Sequence, residues 1–314
     1  MTRRARMLGD LDLSRSRGLE IGPRSSPMVA KAEGPVLYVD YTTTEALRAA
    51  QFDASIELAA ICEVDIVWGE QPLAQAIGGP LDYVVASHVI EHVPDVIGWL
   101  AELRATLKPG GVLGLAIPDR RFTFDHLRRD SGLAEMVEAY LMKRRQPAVG
   151  QIFDACSGAV PVEAAAAWEP GFTIDASLPL AQAPNALKLA GSLLKNPRYL
   201  DAHVWVFTPE SFLAAARGMA AMDLFAFTIA AFLPTERGEA EFHVRLEAAD
   251  PADRAAIAAS LDRAQAALDR ADAPPSALER EVAALRAERD ALVASRFWRW
   301  TAPLRWAVEK LRLR

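Results

Sequence analysis

The stretches LDYVVASHVIEHV at residues 81–93 and LKPGGVLGLAIPD at residues 107–119 decide the fold of this chain. Each contains a short apolar run, at residues 82–87 and 112–118, with the length of a buried strand. Residues 93–107 have a helical pattern that ends at the stop signal KPGG. A strand, a helix and a second strand in this order predict a unit of parallel sheet.

The same alternation extends toward the N-terminus. Apolar runs at residues 19–22, 36–40 and 61–65 predict three further strands, and residues 43–51 and 70–78 predict helices between them. With the runs at 82–87 and 112–118 they give five buried parallel strands. This pattern is typical of a doubly wound α/β domain.

A helix and a hairpin are predicted on the C-terminal side. Thr208 and Pro209 fit the cap and the first position of a helix, and β-like runs at 224–233 and 241–247 are joined by the turn sequence PTERGEA. These runs predict an antiparallel hairpin at the edge of the sheet. We interpret the less regular residues 121–203 as an insertion that covers the top of the sheet, within a domain of residues 1–250.

Beyond residue 250 the pattern becomes helical. Apolar residues recur at steps of four and three from Ile257 to Leu292, which predicts a heptad seam and a helical coiled-coil appendage over residues 251–294. Such a seam favours a dimer or trimer. Pro274 and Pro275 interrupt it, and a solvated helix with a modest apolar stripe is the alternative interpretation.

Residues 295–314 form a basic aromatic tail. Trp298, Trp300 and Trp306 lie among six lysines and arginines, and the apolar residues from position 304 onward fall on one helical face. A basic amphipathic helix with aromatic anchors suits an anionic membrane surface. A helix that docks on another protein is the alternative.

Composition and charge limit the class of protein. The 314 residues carry a formal net charge of −6, which gives no reason to expect nucleic acid as a partner. Two widely separated cysteines favour a reducing compartment over a disulfide scaffold. No apolar stretch has the length of a secretory signal or a transmembrane helix. We therefore expect a cytoplasmic protein that contacts the inner membrane face through residues 295–314.

Polar residues mark the ends of the first three predicted strands. Glu20 and Gly22 lie at the first strand-to-helix turn, Asp40 ends the second strand, and Asp65 ends the third. Because ligands bind at the carboxyl ends of parallel strands, this order predicts a nucleoside site with Asp40 on a ribose hydroxyl. A nicotinamide-dependent reductase fits less well, since the glycine fingerprint G-x-G-x-x-G is absent.

The segments GLEIG, VLYVD, EVD, LDYVVASHVIEHV and LKPGGVLGLAIPD together resemble the successive motifs of class I S-adenosylmethionine-dependent methyltransferases. The resemblance implies a seven-stranded, mostly parallel sheet with an antiparallel edge hairpin, and S-adenosylmethionine as cofactor. It implies that the reacting face follows the fourth strand, at Ser87 and His88. It also assigns the cofactor site to Glu20, Gly22, Asp40, Asp65 and Ser87.

The first motif departs from the pattern of that family. Gly22 is followed by PRSSP instead of further glycines. Proline lacks a donor N–H, and the neighbouring side chains hold the main chain away from a ligand. We expect Arg24 to replace the lost contacts by pairing with the carboxylate of the cofactor. A methyltransferase-like scaffold that no longer binds cofactor and recruits glycan-assembly enzymes is the alternative.

The segment HVIEH at residues 88–92 supplies the candidate catalytic residues His88, Glu91 and His92. Methyl transfer to a hydroxyl needs a base for the proton, and His88 is the first candidate. The spacing matches a zinc-hydrolase helix, but it begins where a strand ends and no third ligand is suggested nearby, so no metal site is predicted. Some methyltransferases of the family that the chain resembles hold a divalent cation with an acidic-and-histidine cluster in this segment, which is the alternative interpretation. Other polar or aromatic residues are expected to assist the base or to line or close the substrate pocket: Asp119, Arg120, Arg121, Asp125, His126, His203 and Trp205.

The tail sequence ASRFWRWTAPLRW at residues 294–306 has a second resemblance. It is similar to the ends of bacterial glycosyltransferases and methyltransferases that build surface polysaccharides. This resemblance implies a sugar or glycan hydroxyl as the methyl acceptor.

Removal of residues 295–314 should abolish association with anionic vesicles, because the basic charges and the aromatic anchors are lost together. Cosedimentation with phosphatidylserine-containing liposomes measures the effect, with neutral liposomes as the control. Cofactor binding should be unchanged. A truncated protein that still sediments with the anionic vesicles would refute the membrane assignment.

Overall fold

The computed structural model describes residues 1–50, 57–69 and 71–272, together with Leu285 and Arg289. The chain divides into two compact units, residues 1–269 and 270–314. The predicted tail at residues 295–314 lies outside the described residues, as do the seam positions Leu278, Val282 and Leu292.

One seven-stranded sheet organises the first unit. In chain order its strands are β1 (Gly18–Ile21), β2 (Val36–Asp40), β3 (Ile66–Val67), β4 (Leu81–Ser87), β5 (Leu107–Pro118), β6 (Phe227–Leu233) and β7 (Glu241–Ala248). Their spatial order is β3-β2-β1-β4-β5-β7-β6. The first five strands pair in parallel, whereas β7 is antiparallel to both β5 and β6. The predicted α/β fold, with a mostly parallel sheet and an antiparallel edge hairpin, is confirmed.

Ten helices lie among the residues that the structure describes. They are α1 (Arg3–Leu8), α2 (Thr44–Ala50), α3 (Leu73–Ile77), α4 (Val96–Thr106), α5 (Leu133–Leu141), α6 (Val149–Gly158), α7 (Ala164–Ala167), α8 (Leu178–Lys195), α9 (Pro209–Ala221) and α10 (Arg254–Asp272). Thr208 caps α9 as predicted, because its side chain accepts a hydrogen bond from the amide of Ser211. None of these helices is long and apolar enough to span a bilayer.

The side chains of β4 alternate between two hydrophobic clusters. Val84 and Ala86 belong to the larger cluster, which includes residues of α4, α9 and α10, whereas Tyr83 and Val85 belong to the smaller cluster. A period of two is the geometry of a strand, and burial on both faces explains the continuous apolar run in the sequence.

Helix α1 packs on the smaller cluster. Met7 is fully buried there together with Leu8. Gly114 in β5 permits the close approach, because a Cβ at that position would lie 2.7 Å from the carbonyl oxygen of Met7. The described residues 22–35 between β1 and β2 form turns in place of a crossover helix.

Strand β3 differs from its prediction at residues 61–65. Residues 58–60 form a 3-10 turn, and the amide of Cys62 donates a hydrogen bond to the carbonyl of Arg24 at 2.7 Å. This stretch therefore bonds to the loop after β1 before the chain enters the sheet at Ile66. As a result, Asp65 precedes the third strand instead of ending it.

Helix α10 packs on the sheet, which corrects the coiled-coil prediction for its first turns. Four predicted seam positions are at most 4% exposed and belong to the larger cluster: Ile257, Leu261, Ala264 and Leu268. Ser260 accepts a hydrogen bond from the amide of Ile229 in β6 at 3.0 Å. Heptad spacing also describes one buried face of a helix on a sheet, and here that face is covered within the chain.

Leu261→Ala should lower the free energy of unfolding by about 2–5 kcal/mol, because it leaves a cavity in the core beneath α10. Urea unfolding at two protein concentrations measures the loss, and Arg263→Ala on the exposed face of the same helix is the matched control. A loss that depends on protein concentration would instead indicate a seam between two chains.

Candidate functional site

A cavity of about 620 Å³ opens at the carboxyl ends of β1, β2 and β4. Its walls come from these strand ends, from α4, and from residues 143–145 and 199–201. The chain order of the strands reverses between β1 and β4, because β2 and β3 lie on one side of β1 and β4 and β5 on the other. Ligands of open α/β sheets bind at this type of reversal.

The turn after β1 contributes main chain and one cation to the cavity. Gly22 has a φ of +64°, and the space beside it is open, since an added Cβ would lie no closer than 3.5 Å to Val89. Arg24 lines the cavity with a φ of +46°. Its positive charge favours the ionised forms of Asp40 and Asp201. It therefore opposes the rise in the pKa of each carboxyl group that burial causes.

Glu20 does not line the cavity, which corrects its prediction as a cofactor contact. Its carboxylate accepts hydrogen bonds from the amides of Met28 at 2.6 Å and Val29 at 3.0 Å. Burial raises the pKa of Glu20, although these amides oppose the shift. Leu19 and Ile21 face the larger cluster, so the alternation of β1 directs Glu20 to the opposite face, where it closes the loop at residues 22–29.

Asp65 also lies away from the cavity, which corrects its prediction as a cofactor contact. It accepts hydrogen bonds from the amide of Tyr38 at 2.7 Å and from Lys31 Nζ at 2.6 Å. The late start of β3 places it on the amino side of that strand. Ser87, at the end of β4, is likewise absent from the cavity lining.

Two tryptophans that the sequence reasoning missed form an apolar wall of the cavity. Trp68 follows β3, Trp99 lies in α4, and their rings stack with centroids 6.5 Å apart. Trp68 Nε1 donates a hydrogen bond to Glu102 at 3.2 Å, which fixes the ring. A flat aromatic wall beside the end of β2 suits a planar base. Correct placement of β3 was the signal that would have identified Trp68.

Asp40 lies at the end of β2 and lines the cavity. It is 5% exposed, and its Oδ1 accepts a hydrogen bond from the amide of Tyr41 at 2.7 Å. Burial raises the pKa of Asp40 to about 6, against the effect of the amides of Tyr41 and Thr42. At neutral pH the carboxylate is ionised and able to accept hydrogen bonds from vicinal hydroxyls.

His88 lines the cavity from the turn after β4, where its backbone has a φ of +53°. Its Nε2 lies 2.6 Å from Glu241 Oε2. Because an ionised carboxylate only accepts hydrogen bonds, Nε2 is the donor, and in the neutral ring Nδ1 then holds the lone pair.

Glu241 in β7 is itself held by several donors. Arg3 of α1 donates a hydrogen bond to it at 2.6 Å, and His243 Nε2 lies 3.1 Å away. Burial opposes ionisation, but the close contact with His243 and the hydrogen bonds from His88 and Arg3 outweigh it and hold the pKa of Glu241 well below its usual range. The acid beside His88 is therefore ionised.

Glu91 and His92 come together with His203, a residue predicted only to close the pocket. One donor atom from each side chain lies within 4.8 Å of the other two. Burial lowers the pKa of His92, but Asp201, 2.9 Å from its Nδ1, and Glu91 outweigh this effect and raise it. The expectation that no third ligand-type residue lies nearby is thus wrong, because tertiary structure supplies His203.

The polar residues after β5 do not line the cavity. Asp119 is fully buried and binds Arg121 and Thr235, each at 2.7 Å. Arg120 pairs with Asp130 at 2.7 Å. The prediction that this segment lines the pocket is therefore wrong. Lys143, Arg144 and Arg145, which follow α5, line the cavity instead.

A family model described as a methyltransferase domain matches residues 1–217. The chain is similar to the magnesium protoporphyrin IX methyltransferase ChlM from Synechocystis PCC 6803, with 14% identity, 76% of each chain covered and a TM-score of 0.33. It is also similar to an S-adenosylmethionine-dependent methyltransferase from Mesorhizobium loti, with 13% identity, 78% of this chain and 95% of that chain covered, and a TM-score of 0.37. With the CurJ carbon methyltransferase it shares 14% identity, with 77% of this chain and 51% of that chain covered and a TM-score of 0.34. No curated protein sequence matches the chain significantly.

Asp40→Asn should weaken the binding of S-adenosylmethionine at pH 8, because an amide replaces the ionised acceptor. In the unchanged protein, affinity should fall about tenfold per pH unit below about pH 6, where the raised pKa of Asp40 lets its carboxyl group take up a proton. Calorimetry between pH 5 and 8 measures both effects. Asp65→Asn is the matched control, and an equal loss of affinity in that variant would contradict the assignment.

Proposed function

The chain belongs to the methyltransferase-domain family, and we propose that this S-adenosylmethionine-dependent methyltransferase acts on a hydroxyl oxygen of a sugar or a related small molecule. The observation that carries the proposal is the hydrogen-bonded pair His88 and Glu241 at the cavity. Methylation of a hydroxyl requires removal of its proton, and this pair is built as a base.

The cavity fits the cofactor on three counts. Asp40 offers a carboxylate for ribose hydroxyls, the wall of Trp68 and Trp99 offers a flat surface for adenine, and Arg24 offers a cation for the methionine carboxylate. The volume of about 620 Å³ is in the usual range for small-molecule sites. When bound, S-adenosylmethionine supplies a methyl group activated on a sulfonium.

His88 supplies the base in this proposal. Its Nδ1 lone pair takes the proton of the acceptor hydroxyl, while its Nε2 stays hydrogen-bonded to Glu241. The carboxylate at 2.6 Å stabilises the imidazolium that results and fixes the ring in its working orientation. A hydroxyl needs this base more than a neutral amine does, because the lone pair of the amine is already available for attack.

The rim of the cavity supports a polar acceptor. Lys143, Arg144 and Arg145 line it from the end of α5, and Arg145 Nη2 donates a hydrogen bond to the carbonyl of Gly69 at 2.5 Å. Tyr41 and Tyr199 also line the cavity, and their ring centroids lie 5.0 Å apart. Cations and aromatic faces together suit a sugar, including one that carries a negative charge.

Assembly of cell-surface polysaccharide is the setting that we propose for this reaction. The support is the resemblance of residues 294–306 to the ends of enzymes that build such polymers. The same proposal places the enzyme in the cytoplasm, in contact with the inner membrane face through residues 295–314. The base and the cofactor-binding side chains favour catalysis over the alternative of a scaffold.

His88→Ala should lower kcat for methyl transfer by about 10²–10⁴-fold, because the hydroxyl proton loses its acceptor. Binding of S-adenosylmethionine should change little. Transfer of label from the methyl group to a panel of sugars, nucleotide sugars and glycan fragments measures the rate, with amines of similar size for comparison.

His126→Ala is the control for loss of a histidine outside the cavity, since His126 Nδ1 is hydrogen-bonded to the carbonyl of Arg121. Glu241→Gln should give a smaller loss than His88→Ala, because it weakens the orientation of the base without removing it. Label found on amines alone, or an undiminished rate in His88→Ala, would overturn the proposal of hydroxyl methylation.

A further inference from the structure

Glu91 has the environment of a ligand rather than of a structural acid. Its side chain is 0% exposed, and neither carboxylate oxygen has a hydrogen-bond partner within the described part of the chain. A buried carboxylate without a partner is strongly destabilising. A bound cation would compensate the charge of this carboxylate, which no hydrogen bond from a neighbouring side chain compensates.

Three imidazoles surround one oxygen of Glu91. Oε1 lies 3.7 Å from His88 Nδ1, 3.8 Å from His203 Nε2 and 3.9 Å from His92 Nε2. These distances exceed the length of a charge-assisted hydrogen bond, about 2.7–2.9 Å. They match the separation of about 3.4–4.2 Å between two donor atoms that share one ion at about 2.1 Å from each.

The Nδ1 atoms of His203 and His92 each lie beside a carboxylate. His203 Nδ1 lies 2.6 Å from Asp125 Oδ2, and His92 Nδ1 lies 2.9 Å from Asp201 Oδ1. The hydrogen bond to Asp125 holds a proton on Nδ1 of His203 and leaves the lone pair on Nε2, the nitrogen that lies 3.8 Å from Glu91 Oε1. His92 has only the ion-pair distance to Asp201, and its Nε2 lies 3.9 Å from the same oxygen of Glu91. Two imidazole nitrogens and a carboxylate oxygen thus lie together without a hydrogen bond between them.

Further contacts hold the group of Glu91, His92 and His203 in place. Arg128, which is 4% exposed, binds Asp125 at 2.6 Å and Asp154 at 2.8 Å. The amides of Val204 and Trp205 donate hydrogen bonds to the carbonyl of Glu91. The donor atoms are thus held by packed side chains and main chain, as a preorganised site requires.

We propose that Glu91, His92 and His203 bind a divalent transition-metal ion. Two imidazole nitrogens and one carboxylate oxygen suit zinc, manganese or ferrous iron, whereas Mg²⁺ and Ca²⁺ prefer oxygen ligands throughout. Glu91 Oε1 lies 3.9 Å from His92 Nε2 and 3.8 Å from His203 Nε2, and one donor atom from each of the three side chains lies within 4.8 Å of the other two. Three protein ligands leave further coordination positions for water or for a substrate oxygen.

The position of the ion assigns it to the acceptor side of the cavity. His92 and Asp201 line that cavity, and His88 borders the same carboxylate oxygen. An acceptor with neighbouring hydroxyls would place one oxygen on the ion and another near His88. This role rests on the proposed function, whereas the metal site itself does not.

The test uses the full chain, stripped with EDTA and then titrated with Zn²⁺, Mn²⁺ or Mg²⁺. We expect about one equivalent of Zn²⁺ or Mn²⁺ per chain after gel filtration, a rise in Tm on binding, and much weaker binding of Mg²⁺. His203→Ala and Glu91→Gln should reduce bound metal to background. Asp125→Asn should weaken affinity by about 10–100-fold, because it keeps every ligand but loses the carboxylate that orients His203.

His126→Ala is the matched histidine control and should keep one equivalent of metal. Glu91→Gln should unfold at a higher temperature than the metal-free parent, because it removes the uncompensated charge, and this shows that the variant is folded. Equal metal content in the parent and His203→Ala, or equal loss in His126→Ala, would overturn the proposal. Methyl transfer measured on the same samples separates the two proposals, since metal binding without transfer to hydroxyls refutes only the function.

Discussion

The site depends on the hydrogen bonds that join residues 201–205 to the turn after β4. The amides of Val204 and Trp205 donate to the carbonyl of Glu91 at 2.7 and 3.1 Å, and Trp205 Nε1 donates to the carbonyl of Val93 at 2.6 Å. Trp205 is 1% exposed, so this attachment is also part of the core. An irregular segment is thereby attached to the core, and it brings His203 close to the residues that follow β4.

Three buried acids of the first unit are stabilised in different ways. Glu20 accepts two backbone amides, Asp125 pairs with Arg128, and Glu241 is hydrogen-bonded by His88 and an arginine. Each arrangement compensates the loss of hydration that burial causes. Glu91 has imidazole neighbours only beyond hydrogen-bond distance. Full burial without such compensation sets Glu91 apart from these acids, and its proposed role as a metal ligand rests on that observation.

Local sequence signals were sufficient for most of the fold, because apolar period, caps and stop signals act over a few residues. Predictions from these signals were wrong where one sequence pattern is compatible with two different local structures. Strand β3 was misplaced since the apolar residues before it enter a turn, and Asp65 moved with it. Glu20 was misassigned because a motif does not state which face of the sheet a side chain takes. His203 could not be linked to HVIEH, since only tertiary hydrogen bonds join them, whereas Gly22, Asp40 and His88 follow directly from strand ends.

Residue 3 and residue 241 come from opposite ends of the first unit, yet the hydrogen bond of Arg3 to Glu241 helps to hold the acid that orients His88. The cofactor-side strands β1, β2 and β4 are synthesised long before β7. A nascent chain that ends before residue 241 therefore has most of the residues that line the cavity but lacks the acid that orients His88. With His88 as the base proposed above, completion of the last antiparallel pair ties the onset of activity to the end of folding.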